Sequence, residues 1–423
     1  MPIYQTIAAE IENRIKSGVY KPGSKIPSIR RMAEEFGCNK LTVQKAFEKL
    51  KRDGYLENIV GSGSFVRFPE KIGGTGDIFD FKTSYLSESF FPHDAAQLIF
   101  SELFEKEKAH AFSAAPVAGD PGFLETVGDF FQLPTQRMLA ISGAQQGLDL
   151  TAKVFSAPIS DAMLFEDPTY PGALSLFKAR HFVPMANDGP HLDRLDRKLS
   201  DPIRLFYTMP AVHNPMGISY SLEKKQAVAE RAGRHPFYII EDDYLSEFQD
   251  RQTPRFVDLC PEKTIYIKSF SQTTVSGIRL GFMIVPEVLY DKFLYTKYLS
   301  DIASTGLLQK FIKTFILNGG YAAHLDNIRK KVTERKQRLL ELISGFPTLS
   351  IPATQSGYNL WVRSESPVNL PHLPWSPGED FSFSPEYRNC FQISFMHMDD
   401  STFEKGLIYL KDLLVISNLK SEI

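Results

Sequence analysis

The chain has 423 residues, 43% of them hydrophobic, and 48 Lys+Arg against 50 Asp+Glu give a formal net charge of −2. That length carries one large α/β domain plus a small one. No apolar run reaches the length of a membrane span and no apolar signal region opens the chain, so a soluble cytoplasmic protein is expected. The three cysteines, Cys38, Cys260 and Cys390, are scattered and fit neither a disulfide framework nor metal-ligand spacing.

In chain order, the first feature is a basic module. Residues 1–67 hold 12 Lys+Arg against 7 Asp+Glu, whereas the remainder holds 36 against 43. A basic end on an acidic body points to nucleic acid at one end only. Ile7, Ile11 and Ile15 recur every four residues and predict a first helix, closed by Gly18 and Lys21-Pro22-Gly23. Ser28, after Pro27, is a good N-cap for a second helix to about Phe36. Gly37 breaks the chain, and Asn39 can cap a third helix from Lys40 to Arg52. Its apolar stripe is Val43, Ala46, Phe47 and Leu50, with Lys40, Thr42, Gln44 and Lys45 off that stripe. Two helices joined by a tight turn are the helix-turn-helix pattern. Tyr55 to Phe68 then alternates around Gly61-Ser-Gly63, as a two-stranded wing does.

The segment Gly18-Val-Tyr-Lys-Pro-Gly-Ser-Lys-Ile-Pro-Ser-Ile-Arg30, then Thr42-Val43, Gly54-Tyr-Leu56 and Gly61-Ser-Gly-Ser-Phe-Val66, resembles the GntR winged helix along its whole length. The resemblance implies that Ser28, Arg30, Asn39, Lys40, Thr42, Gln44 and Lys45 face a double-stranded DNA operator. Arg and Lys would supply sequence-independent phosphate attraction, and Asn and Gln can read adenine. Gly61 and Gly63 would let the wing backbone approach the duplex. The family commonly carries a basic residue before these glycines, where this chain has Val60.

From Pro69 to about Asp80 the chain is polar and contains Gly73-Gly74-Thr-Gly76, which predicts a flexible linker between domains at 1–68 and 81–423. Beyond it, strand-like runs alternate with helical patterns. The expected strands are Ala162–Phe165, Arg204–Tyr207, Phe237–Ile240, Ile265–Ile267 and Phe282–Val285. That pattern predicts an α/β domain with a mostly parallel sheet, whose ligands collect at the carboxyl ends of the strands.

Around those ends lie several short motifs. Gly143-Ala144-Gln145 opens a helix and offers backbone N–H groups to a phosphate. Tyr170 follows Glu166-Asp-Pro-Thr, Asn214 opens an Asn-Pro-Met-Gly turn, and Glu241-Asp242-Asp243-Tyr244 ends a strand. Ser269-Phe-Ser271-Gln272 follows the next strand, with Arg279 between Gly277-Ile and Leu-Gly281. In this order the motifs resemble the fold-type-I pyridoxal-phosphate (PLP) aminotransferases, in the version carried by MocR/GabR-type regulators. The resemblance covers most of Phe81 to Val415. It implies a ring-stacking role for Tyr170, a phenolic-oxygen contact for Asn214 and Tyr244, a pyridine-nitrogen partner at Asp242 or its neighbour, and a phosphate contact from Arg279, with Ser269 and Ser271 in the same pocket. It also implies a homodimer and a small C-terminal lobe from about residue 325, entered by a helix that includes Gly320-Tyr-Ala-Ala-His.

Two departures stand out. The family's cofactor-bearing lysine falls at Gln272, and a carboxamide has no nucleophilic amine with which to form an imine. The family's carboxylate-binding arginine falls at Gln392, in the strand Asn389-Cys-Phe-Gln-Ile-Ser-Phe395, and Arg388 is four residues too early to replace it. The expectation is a transcriptional regulator without aminotransferase activity and without a covalent cofactor, sensing an unidentified small-molecule effector. PLP or a PLP-like ligand held non-covalently remains open, through Arg279, Asp242 and Asn214. The rival is an aminotransferase or PLP sensor that uses another lysine, of which Lys268 is the nearest.

Overall fold

A computed structural model describes residues 3–16, 20, 26–52, 55–59, 63–66, 79–155, 162–177, 180–249, 253–351, 356–366 and 374–421. The chain divides into two compact units, Met1–Gly76 and Asp77–Ile423.

In the first unit, α1 spans Ile3–Lys16, α2 Ile29–Glu35 and α3 Lys40–Arg52. Ile7 and Ile11 of α1, Met32 and Ala33 of α2, and Val43, Ala46, Phe47 and Leu50 of α3 bury their side chains in one cluster. Each large aliphatic in it contributes about 1.5–3 kcal/mol by leaving water. Both anticipated caps form: the Ser28 hydroxyl accepts from Arg31 N at 3.4 Å, and Asn39 Oδ1 accepts from Thr42 N at 2.8 Å. Strands β1 (Leu56–Ile59) and β2 (Gly63–Val66) pair antiparallel, with Leu56 opposite Val66. Val60, Gly61 and most of the anticipated linker lie outside the described residues. Phe79 and Asp80, at the linker's far end, pack on the second unit instead. The Phe79 ring lies 5.2 Å from Tyr409, and Asp80 Oδ1 accepts from Thr83 N at 3.0 Å.

The second unit is built on β3 (Met138–Ile141), β4 (Ala162–Asp167), β5 (Arg180–Ala186), β6 (Gly189–Pro190), β7 (Ile203–Thr208), β8 (Tyr238–Asp243), β9 (Thr264–Ser269) and β10 (Gly281–Ile284). Their order in the sheet is β3-β10-β9-β8-β7-β4-β5-β6. Strands β5, β4, β7, β8 and β9 run parallel, and β10 pairs antiparallel with both β9 and β3. Side chains alternate across this sheet as the pleat requires. Leu164, Phe206 and Ile239 pack with Val228 and Ala232 of the helix Leu222–Arg234. Phe165, Tyr207, Ile240 and Ile267 pack with Leu148 and Leu150 of the helix Ala144–Val154 on the other face. Burial on both faces explains why these strands read as near-continuous apolar runs.

The C-terminal lobe is a four-stranded antiparallel sheet in the order β11 (Leu349–Ser350), β12 (Asn359–Ser364), β14 (Cys390–Ser394), β13 (Ser376–Pro377). One helix, Gly320–Ser344, leads into it without a break, and residue 325 lies inside that helix. Among the described residues, no helix is long and apolar enough to cross a membrane.

Candidate functional site

A cavity of about 210 Å³ opens at the carboxyl ends of β4, β7, β8 and β9. One wall is the start of the helix Ala144–Val154, whose first N–H groups have no partner within the helix and whose N-cap is Gly143 at φ 87°. A Cβ on Gly143 would stand 2.8 Å from Arg279 Nη2, so glycine lets the guanidinium lie against this helix end. Arg279 donates through Nη2 to Ser142 O at 3.0 Å and through Nη1 to Ser271 Oγ at 3.3 Å. Its own backbone is left-handed, φ 42°, an arrangement that costs a non-glycine residue about 1–3 kcal/mol and persists where surroundings impose it. Guanidinium, hydroxyl and helix N-terminus together make a cradle of donors suited to an anion.

The opposite end is set by β8. Asp242 and Asp243 both line the cavity, but alternation along β8 sends their side chains to opposite faces, and the Asp243 carboxylate is taken up by Lys268 and Tyr266. Asp242 Oδ2 accepts from the Tyr207 hydroxyl at 2.7 Å. Burial pushes its carboxyl up to about 6, against the opposing pull of that hydrogen bond. Tyr170, which N-caps the short helix Pro171–Leu174, lines the cavity side, and burial raises its phenol to about 12. Behind this layer, Glu166 is fully buried and accepts from Thr208 Oγ1 at 2.6 Å and Met209 N at 3.1 Å, with His213 Nε2 3.2 Å away.

Gln272 follows β9 in a single 3-10 turn and lines the cavity. Its Oε1 accepts from the Tyr358 hydroxyl at 2.6 Å, and its backbone carbonyl lies 3.0 Å from the same oxygen. Tyr244 OH accepts from Asn359 Nδ2 at 3.1 Å. Gln392 does not line the cavity: from the middle of β14 it stands behind Asn214 and donates to Asn214 Oδ1 at 2.8 Å. That bond leaves the Asn214 NH2 directed to the cavity side. Arg388 is remote, its Nε 3.5 Å from Glu379.

No lysine lines this cavity among the described residues. Lys268 shares a strand face with Tyr266, away from Ser269. It is fully buried, its Nζ 3.1 Å from Asp243 Oδ1 and 2.6 Å from Glu247 Oε2. Ser84, Tyr85 and Met209 also line the cavity and carried no motif. Tyr207 was legible, since a tyrosine inside an apolar strand run has to find a hydroxyl partner.

In the winged helix, Arg30, Asn39, Lys40, Gln44 and Lys45 are exposed and Thr42 is half-buried. Asn39 spends its carbonyl on the cap, accepting from both Thr42 N and Thr42 Oγ1 at 2.8 Å. Gln44 Nε2 lies 3.3 Å from Glu48 on the same helix face, and Arg30 Nε 3.4 Å from Glu34. Sequence reasoning missed Leu41, which is 63% exposed between Lys40 and Thr42. Its signal was an apolar residue lying off the Val43-Ala46-Phe47-Leu50 stripe.

A model of the bacterial regulatory proteins, gntR family, matches residues 3–66, and that of aminotransferase class I and II matches residues 85–403. The uncharacterized HTH-type transcriptional regulator YcxD of Bacillus subtilis is 28% identical over 81% of this chain and 80% of its own length. The probable rhizopine catabolism regulatory protein MocR of Rhizobium meliloti is 25% identical over 97% and 93%. Among solved structures, the multiple substrate aminotransferase of Thermococcus profundus superposes with a TM-score of 0.75 at 21% identity, covering 84% of this chain and 96% of that one. LysN, the alpha-aminoadipate aminotransferase of Thermus thermophilus, gives 0.73 at 22%, covering 81% and 93%. At these identities the two structures establish the fold and no more.

Proposed function

The chain belongs to the aminotransferase class I and II family and carries a GntR-family winged helix at its N-terminus, and from that premise we propose that it is a DNA-binding transcriptional regulator whose aminotransferase-like unit binds a ligand without chemistry on it. Similarity to the HTH-type transcriptional regulator YcxD and to the regulatory protein MocR supports the first half. The second half rests on one observation: Gln272, at the position of the family's lysine, is the side chain that meets the cavity after β9, while the nearby Lys268 is enclosed by Asp243 and Glu247.

A PLP-like ligand fits non-covalently. Arg279, Ser271 and the Ala144–Gln145 backbone would take the phosphate, Tyr170 would flank the ring, and Asp242 would face the ring nitrogen. When bound, such a group supplies an electron-withdrawing ring and a carbonyl. With Gln272 fixed by Tyr358 and Gln392 behind Asn214, the chain's residues bind and orient the ring and attach nothing to it. Asp242, bonded to Tyr207 and raised to about 6 by burial, would face the ring nitrogen mainly as a carboxylate at neutral pH.

The unit would act as a homodimer in the cytoplasm. Tyr295, Leu299 and Ile302, each 65–67% exposed along and just beyond one helix, form an apolar surface suited to a second copy. Effector binding would alter the presentation of two winged helices to a repeated operator.

The test is an absorbance spectrum after incubation with PLP, desalting and borohydride. The expected result is a chromophore that leaves on desalting and nothing fixed to the chain. A borohydride-fixed chromophore, or a half-reaction with any amino acid, would establish the rival enzyme reading and require a substitute lysine.

A further inference from the structure

A second cavity, of about 520 Å³, lies on the reverse side of the Asp243–Glu247 segment, among the helices Pro121–Phe131, Leu222–Arg234 and Gly320–Ser344. Its size is in the range of metabolite pockets, and nothing in the preceding function uses it. Phe130, Phe131, Pro254 and Leu325 make part of its wall apolar.

The charges around it are paired with one exception. Arg255 Nε lies 2.9 Å from Asp258 Oδ2 while its Nη1 and Nη2 donate to Phe131 O and Gln132 O. Arg329 Nη1 lies 2.6 Å from Asp326. Glu247 receives Lys268 on Oε2 at 2.6 Å and the Tyr321 hydroxyl on Oε1 at 3.2 Å. Lys225 is the exception. It is 1% exposed, lines the cavity, and among the described residues makes one hydrogen bond, to Thr253 Oγ1 at 2.7 Å, with no carboxylate within 4.0 Å. Burial lowers its proton affinity below a lysine's ordinary value, outweighing the field of Glu241, Asp243 and Asp258. Gln249, on the same wall, buries its Nε2 with no partner among the described residues.

An ammonium has three donors and no acceptor, and an amide NH2 has two donors. The carboxylates nearby have their oxygens occupied, so among the described residues the uncommitted groups are donors, Lys225 Nζ and Gln249 Nε2, beside an apolar wall. A buried cation without a counterion is costly, and a bound anion relieves that cost. We infer that this cavity is a second ligand site, for a small organic monoacid whose carboxylate meets Lys225 and Gln249 and whose apolar body packs on Phe131 and Leu325. The inference does not depend on what occupies the first cavity.

Isothermal titration of the full chain with benzoate tests it, with benzyl alcohol as the neutral isostere and inorganic phosphate as the bare anion. Benzoate is expected to bind at one site per chain, more tightly than either control. Lys225→Met, which keeps the buried stem and removes the charge, is expected to weaken benzoate by at least about tenfold, a loss in the range for a charged hydrogen bond. Gln249→Leu is the second variant, should Lys225→Met not fold, and is expected to weaken benzoate several-fold. Equal binding of benzyl alcohol or of phosphate, or unchanged benzoate affinity in whichever variant folds, overturns the proposal.

Discussion

Replacing Lys268 separates a structural lysine from a reactive one. Its ammonium is fully buried against Asp243 and Glu247, whose side chains are 2% and 5% exposed, so solvent screening is slight. Lys268→Met keeps the stem and strands two carboxylates. Breaking a buried pair from one side costs about 3–5 kcal/mol. The lower end is appropriate, because Asp243 retains the Tyr266 hydroxyl and Ser246 N at 3.1 Å. The unit Asp77–Ile423 unfolds with an entropy of about 0.7 kcal/mol/K on per-residue averages. The melting temperature should therefore fall by about 4 °C at pH 8. The sign with pH follows from Asp243. In the native chain its carboxyl is held below the ordinary value because Lys268 and its hydrogen bonds outweigh burial. Its stabilisation is thus present above the unfolded carboxyl range and is lost as pH falls. In the variant only the Tyr266 and Ser246 hydrogen bonds oppose burial, so the carboxyl rises relative to the native chain and acid relieves the variant. The gap in melting temperature should narrow between pH 8 and pH 5, by calorimetry. An unchanged melting temperature, combined with loss of a borohydride-fixed chromophore present in the native chain, would refute the structural assignment and make Lys268 the reactive amine.

Other substitutions probe the remaining parts. Asp242, raised to about 6, costs stability progressively as pH rises from the ordinary aspartate range to that value, so Asp242→Asn should gain stability of about 1–3 kcal/mol at pH 8, a smaller gain at pH 5 and none below about pH 4; a pH-independent change would count against a buried, titrating carboxyl. Gly143→Ala combines a positive φ with a Cβ 2.8 Å from Arg279 Nη2. It should weaken equilibrium binding of pyridoxal 5′-phosphate by about tenfold or more while leaving the fold intact, and full retention would deny the cradle its role. Lys40→Ala should lower operator affinity on every sequence and flatten its salt dependence, measured by fluorescence anisotropy; no change would remove Lys40 from the interface. Leu41→Ala should instead lose about 1 kcal/mol or more of discrimination at a thymine-containing step, and equal losses on all sequences would argue against an apolar contact to a base.

Much of the architecture was written locally. The Ser28 and Asn39 caps, the stripe of α3 and the apolar runs of β4, β7, β8 and β9 are short-range patterns, and short-range physics forms them. The Gly143 turn and the left-handed Arg279 are likewise flagged by residues within one motif. The strands β5 and β6 were not legible, because a half-buried edge carries no continuous apolar run, and β3 was too short to separate from its neighbours.

What the sequence alone determined was the inventory: a basic helix-turn-helix, an α/β sheet, and a chain of motifs ending in amides at residues 272 and 392. Only the tertiary structure decided what those amides touch. Gln392 reaches Asn214 across 178 residues, Gln272 meets Tyr358, and Lys268 is drawn to Asp243 and Glu247 rather than to the cavity four residues from its own position. Those pairings are set by which strand face a residue occupies and which distant element closes over it. A pleat alternates faces with every residue, so one position in β8 or β9 separates a cavity wall from a buried ion pair.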